Sequence, residues 1–390
     1  MVNDRDDPAT DQAAVTPEPP RPREMFRQPT RPLPPQPRRP DGWEQQQPPP
    51  GWAPQAPPSA PPYPPRPQAD APWTAPQPTS YAEWIRPADL VPHRKVVPGS
   101  GWRLALYKAS FGLINLGPSP EDKRVAELEA TIRTPLRGRF KIGVMGKGGV
   151  GKTTVSASIG SVLAEIRQDD RVVAVDADTA FGKLGSRVDP RAQGSFWELA
   201  ADRHLEAFAD IRNHLGCNAA GLFVLAGEAT PARRRVLDPA IYREATTRLD
   251  RHFTISVIDC SSTMDSPVTQ EVLRDLDALV VVSSPWVDGA AAAGQTLDWL
   301  AARGLTDLLQ RTVVVLNDSD GHADKRTRGI LAQQFSGHGQ LVIEVPFDGH
   351  LRPGGVIDGT GEMSPSARRK FIEVVAALAA FFPASVTRSG

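Results

Sequence analysis

The sequence predicts a doubly wound α/β domain with a mainly parallel sheet, preceded by a disordered proline-rich region. Two observations lead to this fold class. Of the 40 prolines, 28 lie before residue 99 and only 12 lie in the remaining 292 residues. From residue 140 onward, runs of apolar, β-branched residues alternate with stretches of helical periodicity. We therefore divide the chain into a tail at 1–98, a helical segment at 99–137 and an α/β domain at 138–384.

The first 98 residues do not have the composition of a packed domain, because proline donates no backbone hydrogen bond. Runs such as 48–50 and 61–65 favour extended polyproline II. Eleven Lys/Arg balance eleven Asp/Glu before residue 99, which gives no support for a polybasic membrane tether or an unspecific nucleic-acid arm. The region is either a solvated tail or a tract whose isolated tryptophans dock on a partner.

Two short helices are predicted within 99–137. Apolar residues between Trp102 and Leu113 recur at helical spacing, and the pattern breaks at Gly117-Pro118. Ser119 then has the character of a helix N-cap, since proline and two acidic residues follow it. These helices either pack on the main domain or bind a protein partner.

Seven strands are predicted in the main domain, most of them continuous apolar runs, as expected for strands buried on both faces of a parallel sheet. They lie at 140–145, 171–176, 222–226, 254–259, 278–284, 312–317 and 341–345. Helical stretches between them, for instance at 152–166, 242–252 and 289–303, fit right-handed crossover connections.

The remaining composition narrows the class of protein. Cys217 and Cys260 form no CxxC pair, so the sequence carries neither a disulfide framework nor zinc or iron–sulfur spacing. The N-terminus lacks the basic start and apolar core of a signal peptide. The longest apolar stretch, near 371–382, is shorter than the roughly 20 residues that span a bilayer. We expect a cytoplasmic protein without a transmembrane segment.

A glycine-rich loop follows the first strand directly and opens a helix. It reads Gly146-Lys147-Gly148-Gly149-Val150-Gly151-Lys152-Thr153-Thr154 and satisfies G-x-x-x-x-G-K-[ST]. Its glycines let backbone N–H groups point at phosphates, and the helix N-terminus favours anions. Lys152 is expected along the β- and γ-phosphates, Thr153 on Mg²⁺ and Thr154 at the α-phosphate. The alternative is a glycine-rich turn without a ligand.

Lys147 makes the motif more specific. The run K-G-G-V-G-K-T-T resembles the deviant Walker A motif of the MinD/ParA (SIMIBI) ATPases. The resemblance implies that ATP and Mg²⁺ are the cofactors and that Lys147 reaches the partner's phosphates in an ATP-dependent homodimer. A solvated lysine is the alternative. With the proline-rich head and the segment at 101–117, the chain further resembles MinD-like proteins associated with actinobacterial type VII (ESX) secretion.

Three aspartates stand at the carboxyl ends of predicted strands, where open α/β sheets bind ligands. Asp259 follows an apolar strand and matches Walker B, which holds Mg²⁺ directly or through water. The resemblance implies that Asp178 orients the attacking water, with Asp176 assisting Mg²⁺ or the geometry of the loop. The alternatives are solvated turn aspartates at 176 and 178, and a turn-capping role for Asp259.

The base side of the site is predicted at two later strand ends. By resemblance, Asn317 reads the adenine edge, and Pro346 and Phe347 belong to the loop that packs against the base. An amide suits a purine because it both donates and accepts hydrogen bonds. The alternative is a strand-end turn with Phe347 in the core.

The segment after Asp259 departs from the family pattern. Residues 260–267 contain no glycine that would release a γ-phosphate-sensing loop, which makes nucleotide binding a firmer prediction than hydrolysis. Cys260 is expected as a small buried filler, with a reactive thiol as the alternative. The last helix, at 366–382, is expected to dock an apolar face on the sheet and not to anchor in a membrane.

The leading functional hypothesis is an Mg²⁺-dependent ATP hydrolase that acts as a dimer switch and regulates or positions a type VII secretion or cell-organisation apparatus. Its partner would bind the tail or the segment 99–137, and any peripheral membrane association would run through partners. The first alternative is a nucleotide-sensing scaffold with little hydrolysis. The second is a ParA-like DNA-segregation ATPase, although no motif marks DNA binding.

Overall fold

The computed structural model describes residues 101–111, 113–178, 182–227 and 235–382. The predicted tail at 1–98 lies outside these residues. The domain is built around one eight-stranded sheet. In chain order the strands are β1 (Phe140–Gly146), β2 (Val172–Asp176), β3 (Gly216–Cys217), β4 (Phe223–Leu225), β5 (Ile255–Asp259), β6 (Ala278–Ser283), β7 (Thr312–Asn317) and β8 (Leu341–Val345).

The strand order is β3-β4-β2-β5-β1-β6-β7-β8, so β1 lies near the centre of the sheet. All neighbouring pairs are parallel except β3 and β4, which are antiparallel. The prediction of a mainly parallel, doubly wound sheet is confirmed. Every predicted strand is present; β3, with two residues, was missed because it is too short to show a periodicity.

Twelve α-helices of the described residues connect and cover the strands. They are α1 (Gly101–Ala109), α2 (Pro120–Ile132), α3 (Lys152–Ile166), α4 (Leu184–Val188), α5 (Phe196–Ala201), α6 (Phe208–Arg212), α7 (Pro239–Leu249), α8 (Pro267–Asp275), α9 (Val287–Ala302), α10 (Thr306–Gln310), α11 (Lys325–Gly337) and α12 (Pro365–Ala379). A 3₁₀ turn spans Thr360–Glu362.

The central strands are buried on both faces, which explains their unbroken apolar sequence. Val280 and Val282 of β6 face a core that includes α3 and α12, whereas Leu279 and Val281 face a second core that includes α7 and α9. Successive strand residues alternate between faces. The sheet is therefore covered by helices on both sides, and its strand ends are left to form a site.

Helix α2 packs on the domain. Ser119 caps it as predicted, accepting a 3.0 Å hydrogen bond from the Asp122 backbone N–H. Ile132 is fully buried, and Arg124 lies 3.6 Å from the Glu373 carboxylate of α12. The apolar face of α12 packs against α3 and the sheet, which agrees with the docked interpretation of the last helix. Within the described residues, no helix is both long and apolar enough to cross a membrane.

Candidate functional site

The glycine-rich loop joins β1 to α3 at the carboxyl edge of the sheet. Gly151 ends it with a φ of +96°, a conformation that L side chains rarely adopt. A Cβ on Gly151 would lie 2.4 Å from the Asn317 amide nitrogen, and one on Gly146 would lie 2.3 Å from the Val282 carbonyl oxygen. Both positions therefore exclude any side chain. Glycine at these two positions of the motif is explained by the close approach of the loop to the Asn317 side chain and to the backbone of β6.

Lys152 opens α3 and is 8% exposed. Its Nζ lies 3.5 Å from the Lys147 carbonyl oxygen. Among the described residues it forms no ion pair within 4.0 Å, although its charge helps to hold down the pKa of Asp259. A buried ammonium group is costly without an anionic partner. The geometry thus fits a lysine that receives a phosphate.

Asp176 and Asp259 end adjacent strands in register and are each 1% exposed. The Thr153 hydroxyl donates to one oxygen of Asp259 at 2.7 Å, and the Ser156 hydroxyl donates to the other at 3.2 Å. Asp176 accepts hydrogen bonds from the backbone N–H groups of Leu184, at 3.0 Å, and of Asp178, at 3.3 Å.

Both carboxyl groups are costly to ionise, chiefly because they are buried. Burial, followed by the charge of Asp259, raises the pKa of Asp176 well above its usual value. Burial raises the pKa of Asp259 to about 6, although the Thr153 hydrogen bond and the Lys152 charge oppose this. Two buried carboxylates beside a hydroxyl are hard oxygen donors of the kind that hold Mg²⁺. The residues predicted as metal ligands therefore lie together and fit the ion.

Asp178 belongs to the same cluster. It is half-buried, and its charge contributes to the raised pKa values of Asp176 and Asp259. The described chain stops at Asp178 and resumes at Gly182. Its assignment as the residue that orients water stays a prediction.

Lys147 points outward, unlike Lys152. Its side chain is 47% exposed, and its Nζ lies 3.1 Å from a carboxylate oxygen of Asp288, in the first turn of α9. Next to this pair, Trp286 and Val287 are exposed. Lys147 is therefore positioned at the surface of the loop, where it is accessible to a second molecule.

A cavity of about 360 Å³ lies beside the loop. Its lining consists of Gly149, Gly151, Thr154, Asn317, Asp318, Ser319, Asp320, Val345, Pro346, Asp348, Leu351 and Arg352. Asn317 donates from its amide nitrogen to the Val150 carbonyl at 2.8 Å, so it ties β7 to the loop. The predicted base residues Asn317 and Pro346 thus meet at one cavity.

Phe347 differs from its predicted neighbours. It is 39% exposed, does not line this cavity, and places its ring against Gly321. This exposure argues against the core alternative, and the assignment of Phe347 to the base side stays a prediction.

Several site residues were not found from the sequence. Asp348 accepts hydrogen bonds from the backbone N–H groups of His350, Leu351 and Ser364 at 2.7–3.2 Å and holds the cavity loop. Arg187 of α4 donates to the Thr154 hydroxyl at 2.7 Å. The one available signal was that Asp318 directly follows a predicted strand end and Asp348 lies three residues after another. Arg187 carried none.

The segment after β5 is held near both of its ends by hydrogen bonds to the rest of the domain. Cys260 is buried, its backbone N–H donates to the Val144 carbonyl at 3.0 Å, and burial raises the pKa of its thiol to about 12. Asp265 accepts hydrogen bonds from Trp299 of α9 and from Arg303, which directly follows α9, both at 3.2 Å. The buried thiol favours the filler interpretation of Cys260 over the reactive one.

A phosphate-binding loop, two buried strand-end carboxylates and a central parallel sheet together define the class of P-loop nucleotide-binding domains. Residues 142–352 match the family described as the CobQ/CobB/MinD/ParA nucleotide binding domain. The chain belongs to this family.

Three relatives illustrate the similarity. The ESX-1 secretion-associated protein EspI of Mycobacterium tuberculosis is 35% identical over 288 residues, which cover 73% of this chain and 42% of EspI. The chain thus spans less than half the length of these curated relatives. An uncharacterized ATP-binding protein of Methanocaldococcus jannaschii is 25% identical over 208 residues, covering 53% of this chain and 74% of that protein. The crystal structure of the cell division ATPase MinD of Pyrococcus furiosus is 20% identical, with a TM-score of 0.48, and covers 64% of this chain and 100% of that chain.

Proposed function

We propose that this chain is an Mg²⁺-dependent ATP hydrolase that works as a nucleotide-dependent dimer switch in the cytoplasm. The observation that supports this most is the convergence of Lys152, Thr153 and Asp259 beside a loop that only glycine can form. Lys152, which would hold a phosphate, and Thr153, which would hold Mg²⁺, are the first two residues of α3. The backbone N–H groups of the loop directly precede them. Asp178 and the base-side cavity complete the set of groups that hydrolysis of a nucleotide needs.

Each residue has a separate role in this proposal. The loop N–H groups and Lys152 hold the phosphates, and Thr153 with Asp259 would hold Mg²⁺, which neutralises charge on the phosphate oxygens when bound. Asp176 shapes the loop through its hydrogen bonds from Leu184 and Asp178. Asp178 orients the attacking water. These assignments follow from position and from the chemistry of each side chain.

Lys147 supplies the dimer part of the proposal. It extends from the loop to the surface and pairs only with the exposed Asp288 in the described residues. A lysine there is not needed to hold a phosphate of its own molecule, because Lys152 already occupies that position. We infer that Lys147 contacts the nucleotide of a second copy.

The biological setting is inferred from the relative that is named for ESX-1 secretion. We propose that the switch regulates or positions a type VII secretion apparatus. The partner would engage residues 1–98 or the segment 99–137. Both precede the nucleotide domain in the sequence and lie outside the residues matched to the family.

The enzymatic part is tested by steady-state phosphate release from the purified chain with Mg²⁺ and ATP. We expect wild type to release phosphate at a rate that Lys152→Ala lowers to background, because the phosphates lose their buried cation. Lys325→Ala, at the exposed start of α11, is the matched control and should keep the wild-type rate. Equal background rates in wild type and Lys152→Ala would overturn hydrolysis.

The dimer part is tested by chromatography with light scattering in ATP and in ADP. Wild type is expected to form a dimer in ATP only, and Lys147→Ala is expected to stay a monomer while it still binds nucleotide. A wild-type monomer in both nucleotides would remove the switch from the proposal.

A second candidate function, a nucleotide-sensing scaffold with little hydrolysis, is favoured by the segment after β5. That segment is tied to Val144 through Cys260 and to α9 through Asp265, and it has no glycine. A loop held at both ends responds weakly to a γ-phosphate. Tight ATP binding without turnover, also in the presence of the secretion partner, would select this function.

A further inference from the structure

Arg187 is a buried arginine of α4 that joins three separate parts of the site. It is 4% exposed. Its Nη2 donates to the Thr154 hydroxyl at 2.7 Å and lies 3.3 Å from the Leu351 carbonyl oxygen, and its Nη1 donates to the Gly355 carbonyl oxygen. The backbone of α4 adds a fourth link, because the Arg187 carbonyl accepts from Ile357 N–H at 2.7 Å.

The charge of Arg187 is not neutralised by the described protein. No carboxylate in the described part of the chain pairs with it, its partners are one hydroxyl and two carbonyls, and its Nε has no hydrogen-bond partner there. Burial lowers the pKa of the guanidinium from its usual value. A buried cation is expensive unless an anion is near. The nearest predicted anion is the nucleotide itself, one side chain away.

Thr154 lies between Arg187 and that anion, since it lines the cavity beside the glycine-rich loop. A guanidinium can only donate hydrogen bonds, so the Thr154 oxygen must accept. The hydroxyl proton of Thr154 is then free to donate in another direction. Arg187 thus leaves the hydroxyl proton available to a ligand in the cavity and polarises the hydroxyl with a positive charge.

We propose that Arg187 is a positioning residue of the nucleotide site, which acts through Thr154 on the α-phosphate. This inference rests on the proposed nucleotide function. Arg187 also fixes the separation of the phosphate and base sides, because Leu351 lines the same cavity. The ligand group it serves is the phosphate nearest the sugar, which ATP and ADP share, so Arg187 favours retention of nucleotide in both states of the switch.

The test measures MgADP affinity by titration calorimetry in a double-mutant cycle of Arg187→Gln and Thr154→Val. Each single variant is expected to weaken MgADP binding about tenfold, the effect of losing a charge-assisted hydrogen bond. Because both act through one hydroxyl, the double variant should bind within about twofold of the weaker single variant. Thr154→Ser keeps the hydroxyl and should recover most of the affinity that Thr154→Val loses.

A spectroscopic readout separates positioning from a structural role. The α-phosphorus resonance of bound ADP is expected to shift in Arg187→Gln and in Thr154→Val, and not in Thr154→Ser, while the β-phosphorus resonance stays in place. Loss of stability alone would not produce this selectivity. Should Arg187→Gln fail to fold, Arg187→Lys replaces it, because a single ammonium cannot reach Thr154 and both carbonyls together.

The outcomes are distinct. Single-variant effects that multiply in the double variant, or an Arg187 variant with wild-type affinity, would overturn the inference and leave the proposed function standing. Failure of wild type to bind MgADP would overturn the nucleotide function and the inference together.

Discussion

The two sides of the phosphate loop differ in burial. The buried side holds its charged groups in a fixed geometry, whereas the exposed side carries an ion pair that can exchange partners. On the inner side, Asp176 and Asp259 are each 1% exposed and are held by hydrogen bonds. On the outer side, the Lys147–Asp288 pair is solvated, with 47% and 83% of the side chains exposed. The first arrangement holds its geometry with or without a partner, whereas the second can exchange one partner for another.

The physical reason is the local dielectric environment. Charges in a buried site interact strongly and pay a large desolvation cost, so they need a cation to become stable together. Solvated charges interact weakly and are screened by salt. We therefore expect substitutions on the inner side to alter ligand chemistry, and those on the outer side to alter association with little change in stability.

The largest expected effect is that of Asp259→Asn. The asparagine amide keeps the shape of the carboxyl group. We expect the substitution to lower the rate of phosphate release about 100-fold, because an amide is a poor ligand for Mg²⁺. Calorimetry should also show that Mg²⁺ no longer tightens ADP binding. Asp307→Asn, an exposed carboxylate on α10, is the matched control. Retention of Mg²⁺-dependent binding by Asp259→Asn would show that the inner side is not the metal site.

The inner side was largely predictable from the sequence, because its residues belong to a local motif or directly follow apolar strands. Thr153 stands at a fixed place in the motif, and Asp176 and Asp259 end strands that parallel pairing brings side by side. Local spacing therefore determined which groups meet. The raised pKa values were not predictable, since they depend on the complete burial that only the packed helices provide.

Contacts between distant parts of the chain were not predictable. Lys147 and Asp288 are 141 positions apart, and Arg187 reaches Gly355 across 168 positions. No periodicity links such residues, because loop conformation decides which of them meet. The packing of the Phe347 ring against Gly321 is a further contact of this kind.

An intermediate effect is expected in the pH dependence of stability. In metal-free, nucleotide-free protein the pKa of Asp259 is raised to about 6, from an unfolded value near 3.8. The folded state therefore binds the proton of the Asp259 carboxyl more tightly than the unfolded state does. The contribution of this group to stability is full below pH 3.8 and is lost as the pH rises through 6. Between pH 5 and 7.5 the free energy of unfolding should fall by on the order of 1 kcal/mol from this group.

Denaturant unfolding in EDTA at several pH values checks this expectation. Asp259→Asn cannot ionise at this position, so its free energy of unfolding should fall less over the same window, and at pH 7.5 it should exceed that of wild type. Parallel pH profiles for wild type and Asp259→Asn would mean that the carboxyl is ionised throughout, and the contrast between the two sides of the loop would lose its electrostatic basis.

The smallest expected effect on stability is that of Asp288→Ala on the outer side. A solvated pair contributes less than about 0.5 kcal/mol, so the midpoint of denaturant unfolding should stay close to that of wild type. In light scattering with ATP, Asp288→Ala should still form the dimer, because it frees Lys147 for the second copy, whereas Lys147→Ala should not. A monomeric Asp288→Ala variant would instead place Asp288 itself in the dimer contact. That result would mean that the Lys147–Asp288 ion pair is itself part of the dimer interface and does not exchange partners.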